Sequence, residues 1–177
     1  MNNKTQNTKK RLYVFDFDET LVFDNATIYV IEPNGNKKRF TSFQFHDYEL
    51  KPGEKVDVND FSRLNNPKPN YKMLTLLEKH LDESVILSAR QSATPIIEFT
   101  NSIGLEVPEV IVVGEALPKK NTSQQNAERK REWIQKQLEK GGLEYVEFWD
   151  DSVKNINEVN KLKALYPNVK IITHLVR

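Results

Sequence analysis

From about residue 70 to its end, the chain alternates short apolar runs with segments of helical spacing. The predicted core strands are "LYVFDF" (12–17), "SVILSA" (84–89), "EVIVVGE" (109–115), "EYVEFWDD" (144–151) and "VKIITHLV" (169–176). These runs are continuous and rich in Val and Ile, the pattern of strands covered on both faces. Between them, "NYKMLTLLEKHL" sets Met73, Leu74, Leu77 and Leu81 on one helical face. "SATPIIEFTNSIGL" carries Pro95 near a helix start and Gly104 where a C-terminal cap belongs. "NAERKREWIQKQLEKGG" ends in two glycines, and "SVKNINEVNKLKALYP" spaces Val153, Ile156, Val159, Leu162 and Leu165 helically ahead of Pro167. Such alternation predicts an α/β fold with a central parallel sheet and helices on both faces, whose functional crevice lies outside the carboxyl ends of the strands.

Residues 24–69 interrupt the rhythm. "TIYVIEPNGNKKRF" reads as a hairpin, because Asn34-Gly35 is a strong turn signal between β-prone runs. The stretch that follows, up to Asn70, is aromatic, polar and proline-spaced, without a clear period. The expectation is a small hairpin or cap insertion after the first strand, covering the sheet edge. Residues 1–11 are polar and basic and are expected to be disordered, which leaves 12–177 as a single domain.

Composition narrows the function classes. The chain has 177 residues, 38% apolar and 29% charged, and so reads as one globular domain with a substantial core. A net charge of +1 gives no global attraction to nucleic acid or anionic membrane, although local basic clusters remain. With no cysteine, disulfides and thiolate metal sites are excluded, and a reducing compartment is the simpler reading. The apolar run after the N-terminus stops at Asp16, too short for a secretory signal, and no stretch approaches the roughly 18 apolar residues of a membrane helix. A cytoplasmic protein is expected, with no membrane partner and no obligate protein partner.

The chemistry is concentrated in acids. "VFDFDET" (14–20) closes a buried strand with Asp16, Asp18 and Glu19. Residues two apart on a strand share a face, and carboxylates held that close repel unless a cation or a shared proton relieves them. A hard divalent ion such as Mg²⁺, bound by oxygen, is the natural partner. A lone D-x-D is more often a solvated acidic turn, and an EF-hand reading fails, because Leu21 and Thr27 stand where that loop needs Gly and Glu. The second pair, Asp150 and Asp151 in "VEFWDDS", changes the weighing. In a parallel sheet both pairs fall on the same rim.

These motifs identify a resemblance. "FDFDETLV" resembles the first motif of the haloacid dehalogenase superfamily, whose phosphatases carry D-x-D-x-T after a strand. "VILSAR" resembles the second motif, "ERKREWI" supplies a candidate for the third, and "FWDDS" resembles the acidic fourth, all in the family's order. The Arg two residues after Ser88 and the DD pair make the chain similar to the phosphatase part of polynucleotide kinase-phosphatases, and to small phage and bacterial hydrolases of the superfamily. No G-x-x-x-x-G-K-[ST] occurs, so no kinase half is expected in these residues.

The resemblance implies a three-layer Rossmannoid fold and a Mg²⁺-dependent phosphomonoester hydrolase. Asp16 would be the nucleophile that forms an aspartyl-phosphate, and Asp18 the general acid and then the base. Mg²⁺ would be held by Asp16, Asp150 and the main-chain carbonyl of Asp18, with Asp151 and Thr20 in support. Ser88 would donate to a phosphoryl oxygen. The implied substrate is a nucleotide or a nucleic-acid 3′-phosphate end. A phosphorylated small metabolite, or a non-catalytic domain that binds Mg²⁺ and phosphate, are the alternatives.

The lysine is chosen by periodicity. Lys130 lies on the stripe of Ala127, Ile134 and Leu138, whereas Lys136 falls off it. A lysine on the buried face wants a counter-charge, which the acidic rim provides; the bland reading is a stem that snorkels to solvent. Lys119 and Lys120 are the fallback. Arg90 would clamp a second phosphate or the substrate backbone, or pair with a neighbouring acid. Asn155 is expected to brace the acidic loop, and Glu19 to be a bystander. His46 is a further candidate to touch substrate, while His80 and His174 read as structural. Phe40, Phe43, Phe45 and Tyr48 would stack on a base or form the cap's own core.

Overall fold

The computed structural model describes residues 10–46, 48–106, 109–114 and 123–177, apart from the side chains of Phe43 and His46. The chain begins with β1 (Arg11–Phe15) and a short β2 (Val22–Phe23). The insertion follows as β3 (Ile28–Ile31), β4 (Lys37–Phe40), α1 (Ser42–His46), β5 (Lys55–Asp57), a 3-10 turn at Asn59–Ser62 and β6 (Lys68–Pro69). Then come α2 (Tyr71–Lys79), β7 (Ser84–Ser88), α3 (Thr94–Ser102) and β8 (Val110–Val112). The chain ends with α4 (Ser123–Glu139), β9 (Tyr145–Asp150), α5 (Val153–Asn160), α6 (Leu162–Leu165) and β10 (Lys170–Leu175).

The five long-run strands form one parallel sheet in the order β10-β9-β1-β7-β8. Successive side chains on a strand alternate faces, and β1 shows what each face buries. Tyr13 and Phe15 join Met73, Leu74 and Leu77 of α2 and Ile96 and Phe99 of α3. Leu12 and Val14 join Ile134 and Leu138 of α4, with Val159 and Leu162 beyond. Helices therefore cover both faces, the α/β arrangement the alternation predicts. Phe15, Leu77, Ile86, Ile134 and Phe148 are completely buried, and each contributes roughly 1.5–3 kcal/mol through the apolar area it removes from water.

The predicted helix at 152–167 is divided. Lys161 donates to Glu158 O at 3.1 Å, a 3-10 contact that separates α5 from α6. Val159 and Leu162, on either side of the break, stay in one core, so the apolar spacing survives the interruption.

The insertion contains the hairpin that Asn34-Gly35 marks, β3 paired antiparallel with β4. β2 and β6 pair antiparallel, Val22 with Pro69 and Phe23 with Lys68, forming a neck where the chain leaves and returns. Asn65 N donates to Asp24 Oδ1 at 2.7 Å and tightens that neck. Beyond it, β4-β3-β5 form a three-stranded antiparallel sheet. Gly35 takes φ +86° in the Asn34-Gly35 turn, a conformation glycine adopts without strain. Ile28, Val30, Phe45 and Val56 form a separate small core, with Phe40 and Tyr48 packed against it. Phe40, Phe45 and Tyr48 thus build the cap's own core. Among the described residues, no helix is long and apolar enough to cross a membrane. The anticipated disordered start falls mostly on residues 1–9, outside the described residues.

Candidate active site

Strand order reverses beside β1. The chain runs from β1 to β7 and β8 on one side, then to β9 and β10 on the other. Asp16 follows β1, and Asp150 ends β9, so both stand at the carboxyl ends where the order switches. Asp16 N donates to Trp149 O at 2.9 Å, a rung that fixes the two acidic loops against each other.

Carboxylate oxygens of Asp16, Asp150 and Asp151 lie within 4.8 Å of one another. Lys130 is inserted among them, as its place on the buried stripe of α4 predicts. Its Nζ donates to Asp16 Oδ1 at 2.5 Å and to Asp150 Oδ2 at 2.8 Å, and the side chain is 1% exposed. Asp150 is saturated. Its Oδ1 also accepts from Ser152 N and Asn155 Nδ2, both at 2.8 Å, and its Oδ2 accepts from Asn155 at 2.9 Å. Asn155 is the brace its position suggests.

One lysine does not balance three acids. Burial drives the Asp16 carboxyl up to about 7, against the pull of Lys130, with Asp150 and Asp18 adding to the rise. Burial, then Asp16 and Asp150, push Asp151 up to about 9. Burial opposes the charged Lys130, but Asp150 and Asp16 outweigh it and hold the ammonium above its ordinary range. An all-oxygen donor set short of positive charge could hold a hard divalent cation.

A cavity of about 210 Å³ opens above this cluster. Asp16, Asp18, Lys130 and Asp151 line its floor, and Ile28, Phe45, Val58 and Phe61 of the insertion line its other side. The insertion is therefore a cap over the rim. The two acids of "FWDDS" divide here. Asp151 reaches the cavity, whereas Asp150 is fully buried behind it.

Three expectations need correction. The Asp18 carboxylate does not join Asp16 in the acidic group with Asp150 and Asp151: β1 ends at Phe15, and Arg90 holds Asp18 instead. Arg90 is no free phosphate clamp. Its Nε donates to Asp18 Oδ2 at 3.0 Å, and its Nη2 to Asp18 Oδ1 at 2.7 Å and Asp24 Oδ2 at 3.0 Å. Its Nη1 donates to the carbonyls of Phe61 at 2.7 Å and Arg63 at 3.4 Å. Of the readings open to it, the ion pair is the one realised. Ser88, fully buried at the end of β7, accepts from Arg90 N at 3.1 Å and does not line the cavity. Its hydroxyl holds the Arg90 loop.

The remaining candidates lie as follows. Thr20 is completely buried under the first loop, and its carbonyl accepts from Asn70 Nδ2 at 2.9 Å. Glu19 turns that loop at φ +58°. His80 stacks on Tyr13 with ring centroids 4.0 Å apart, and His174 stacks on Trp149 at 5.1 Å. The His46 side chain, Lys119 and Lys120 lie outside the described residues. Two participants escaped the sequence reading. Asp24 is tied to Arg90 across 66 positions, which no local pattern marks. Gly114 passes so close to the Arg90 loop that a Cβ there would sit 2.2 Å from Ala89 O.

Compared with protein-family models, with curated proteins and with solved structures, the chain gives no match.

Proposed function

We propose that this protein is a Mg²⁺-dependent phosphomonoester hydrolase on a haloacid dehalogenase-like fold, working through an aspartyl-phosphate. The observation that carries the reading is the cluster of Asp16, Asp150, Asp151 and Lys130 beneath a capped cavity at the switch point of a parallel sheet. A purely structural ion cluster has no need of a cavity or of a second acid, Asp18, on its wall.

Asp16 and Asp151, backed by Asp150 and the main-chain carbonyl of Asp18, would hold Mg²⁺, which supplies positive charge to phosphoryl oxygens. Lys130 holds Asp16 Oδ1 and leaves Oδ2 to attack phosphorus. As the new O–P bond forms, the bond to the leaving oxygen breaks, and Asp18 delivers a proton to that oxygen. The Asp18 carboxylate then takes a proton from the water that attacks phosphorus and releases inorganic phosphate and free Asp16. The first substrate class is a nucleotide or a nucleic-acid 3′-phosphate end, and phosphorylated small metabolites share the same chemistry.

The test is release of p-nitrophenol from p-nitrophenyl phosphate with Mg²⁺ and with EDTA. Turnover that needs Mg²⁺ and vanishes in Asp16→Asn is expected; equal rates in the variant and the parent rule out Asp16 as nucleophile. A panel of mononucleotides, sugar phosphates and 3′-phosphorylated oligonucleotides then selects the substrate.

A further inference from the structure

One side chain joins the cap to the site. Arg90 is 3% exposed, and every N–H of its guanidinium has a partner. The partners come from three places: Asp18 after β1, Asp24 where the chain enters the insertion, and the Phe61 and Arg63 carbonyls in and just after the cap's 3-10 turn. The guanidinium also lies 5.0 Å from the Phe61 ring and 5.6 Å from the Phe17 ring, one ring from the cap and one from the core. From below, Ser88 Oγ accepts its N–H, and Gly114 N donates to its carbonyl at 3.2 Å. Both the backbone and the head group of Arg90 are therefore fixed.

We propose that Arg90 is a positioning residue that couples the seating of the cap to the orientation of Asp18. The planar fork grips both Asp18 oxygens while its other edge reaches cap carbonyls, a geometry that a lysine ammonium cannot reproduce. Asp24 serves both ends: its Oδ2 accepts from Arg90 and its Oδ1 from Asn65 N in the neck. With the cap seated, Arg90 holds the Asp18 carboxyl in one orientation at the cavity wall. With the cap displaced, Arg90 loses its Phe61 and Arg63 acceptors, and Asp18 loses its fixed rotamer. The coupling rests on the hydrolase reading for the proton role of Asp18, whereas the tie between Arg90 and the cap does not.

Two esters separate positioning from bulk stability. The leaving group of p-nitrophenyl phosphate departs with little need of a proton, while an alkyl phosphate needs one from Asp18 as its P–O bond breaks. In Arg90→Lys, kcat/KM for the alkyl ester is expected to fall about 10²-fold, with a far smaller loss on the aryl ester. In Asp24→Asn, which weakens the hold on Arg90 and on the neck but leaves the guanidinium fork on Asp18, the same selective loss on the alkyl ester is expected, smaller than in Arg90→Lys. Amide hydrogen exchange at residues 59–63 is expected to accelerate in both variants. Equal losses on both esters in Arg90→Lys, or a gain on the alkyl ester, overturn the proposal. Unchanged exchange in Asp24→Asn overturns it too, including the case in which Arg90→Lys does not fold. A parent protein inactive on both esters overturns the hydrolase reading, and the exchange result then still decides whether Arg90 ties down the cap.

Discussion

Lys130 keeps apart two acids that would otherwise face each other in the interior. Asp150 is 0% exposed, so removing the ammonium leaves a buried carboxylate pair with no cation. Lys130→Met, similar in length but uncharged, is expected to destabilise the metal-free protein by about 3–5 kcal/mol, the usual consequence of breaking a buried ion pair from one side. Urea unfolding in EDTA measures this directly, and a loss below about 1 kcal/mol contradicts the pairing. Asp16→Asn should behave oppositely. It deletes a carboxylate that burial already disfavours, so turnover disappears while metal-free stability is kept or raised. Lys130 was legible in the sequence because an apolar helical stripe rarely carries a lysine without a buried counter-charge. The true partner of Arg90 was not: the ion pair was one of two readings, and the spacing of Asp24 along the chain carries no period that would select it.

At the scale of elements, the loop after β7 is held by close packing as much as by hydrogen bonds. Gly114 follows β8, and a Cβ there would meet Ala89 O at 2.2 Å and Arg90 O at 2.7 Å. Gly114→Ala must push the Arg90 loop away from β8 or break the Gly114 N bond to Arg90 O. A loss of about 1–3 kcal/mol is expected from this overpacking, together with a drop in kcat/KM because Arg90 moves. Thermal unfolding and steady-state kinetics report the two effects, and normal values for both contradict the close approach. The sequence showed β8 as a strand, but a glycine at a strand end carries no sign of which backbone it will pass. Asn155 is the contrasting case. It stands four positions after Asp151 on a helix, a spacing that returns its side chain toward the acidic loop, and its amide does meet Asp150. Asn155→Ala should cost about 1–3 kcal/mol by leaving a buried acceptor short of a donor.

For the whole molecule, the parallel sheet and its helices were readable because Val- and Ile-rich runs separated by helical stripes admit few other arrangements. The cap was less so: β5, α1 and the turn at 59–62 are too short to show a period, and only the Asn34-Gly35 hairpin declared itself. The site followed from the sheet. Two acidic strand ends meet only if β1 and β9 are neighbours, and they are.

From that meeting, and from the proposed function, a stability that depends on pH and on metal together is expected. Asp16 is raised to about 7 and Asp151 to about 9, both above the ordinary carboxylate value of 3.8. Between those limits the folded state binds more protons than the unfolded chain, so unfolding free energy falls as pH rises. The stabilisation from these two groups is complete below the unfolded value and is lost as pH climbs through the folded ones. Metal-free protein should therefore melt at progressively lower temperature from about pH 5 to pH 9. Under the proposed function, Mg²⁺ would compete with those protons for the same oxygens and would bind the folded state alone. Its upward shift of the melting temperature should therefore be larger near pH 8 than near pH 6. Asp16→Asn with Asp151→Asn removes both raised carboxyls and should flatten the metal-free slope. If the parent's melting temperature is level or rises across that range, or the double variant keeps the slope, the acids do not share the charge deficit on which the proposed cation site rests.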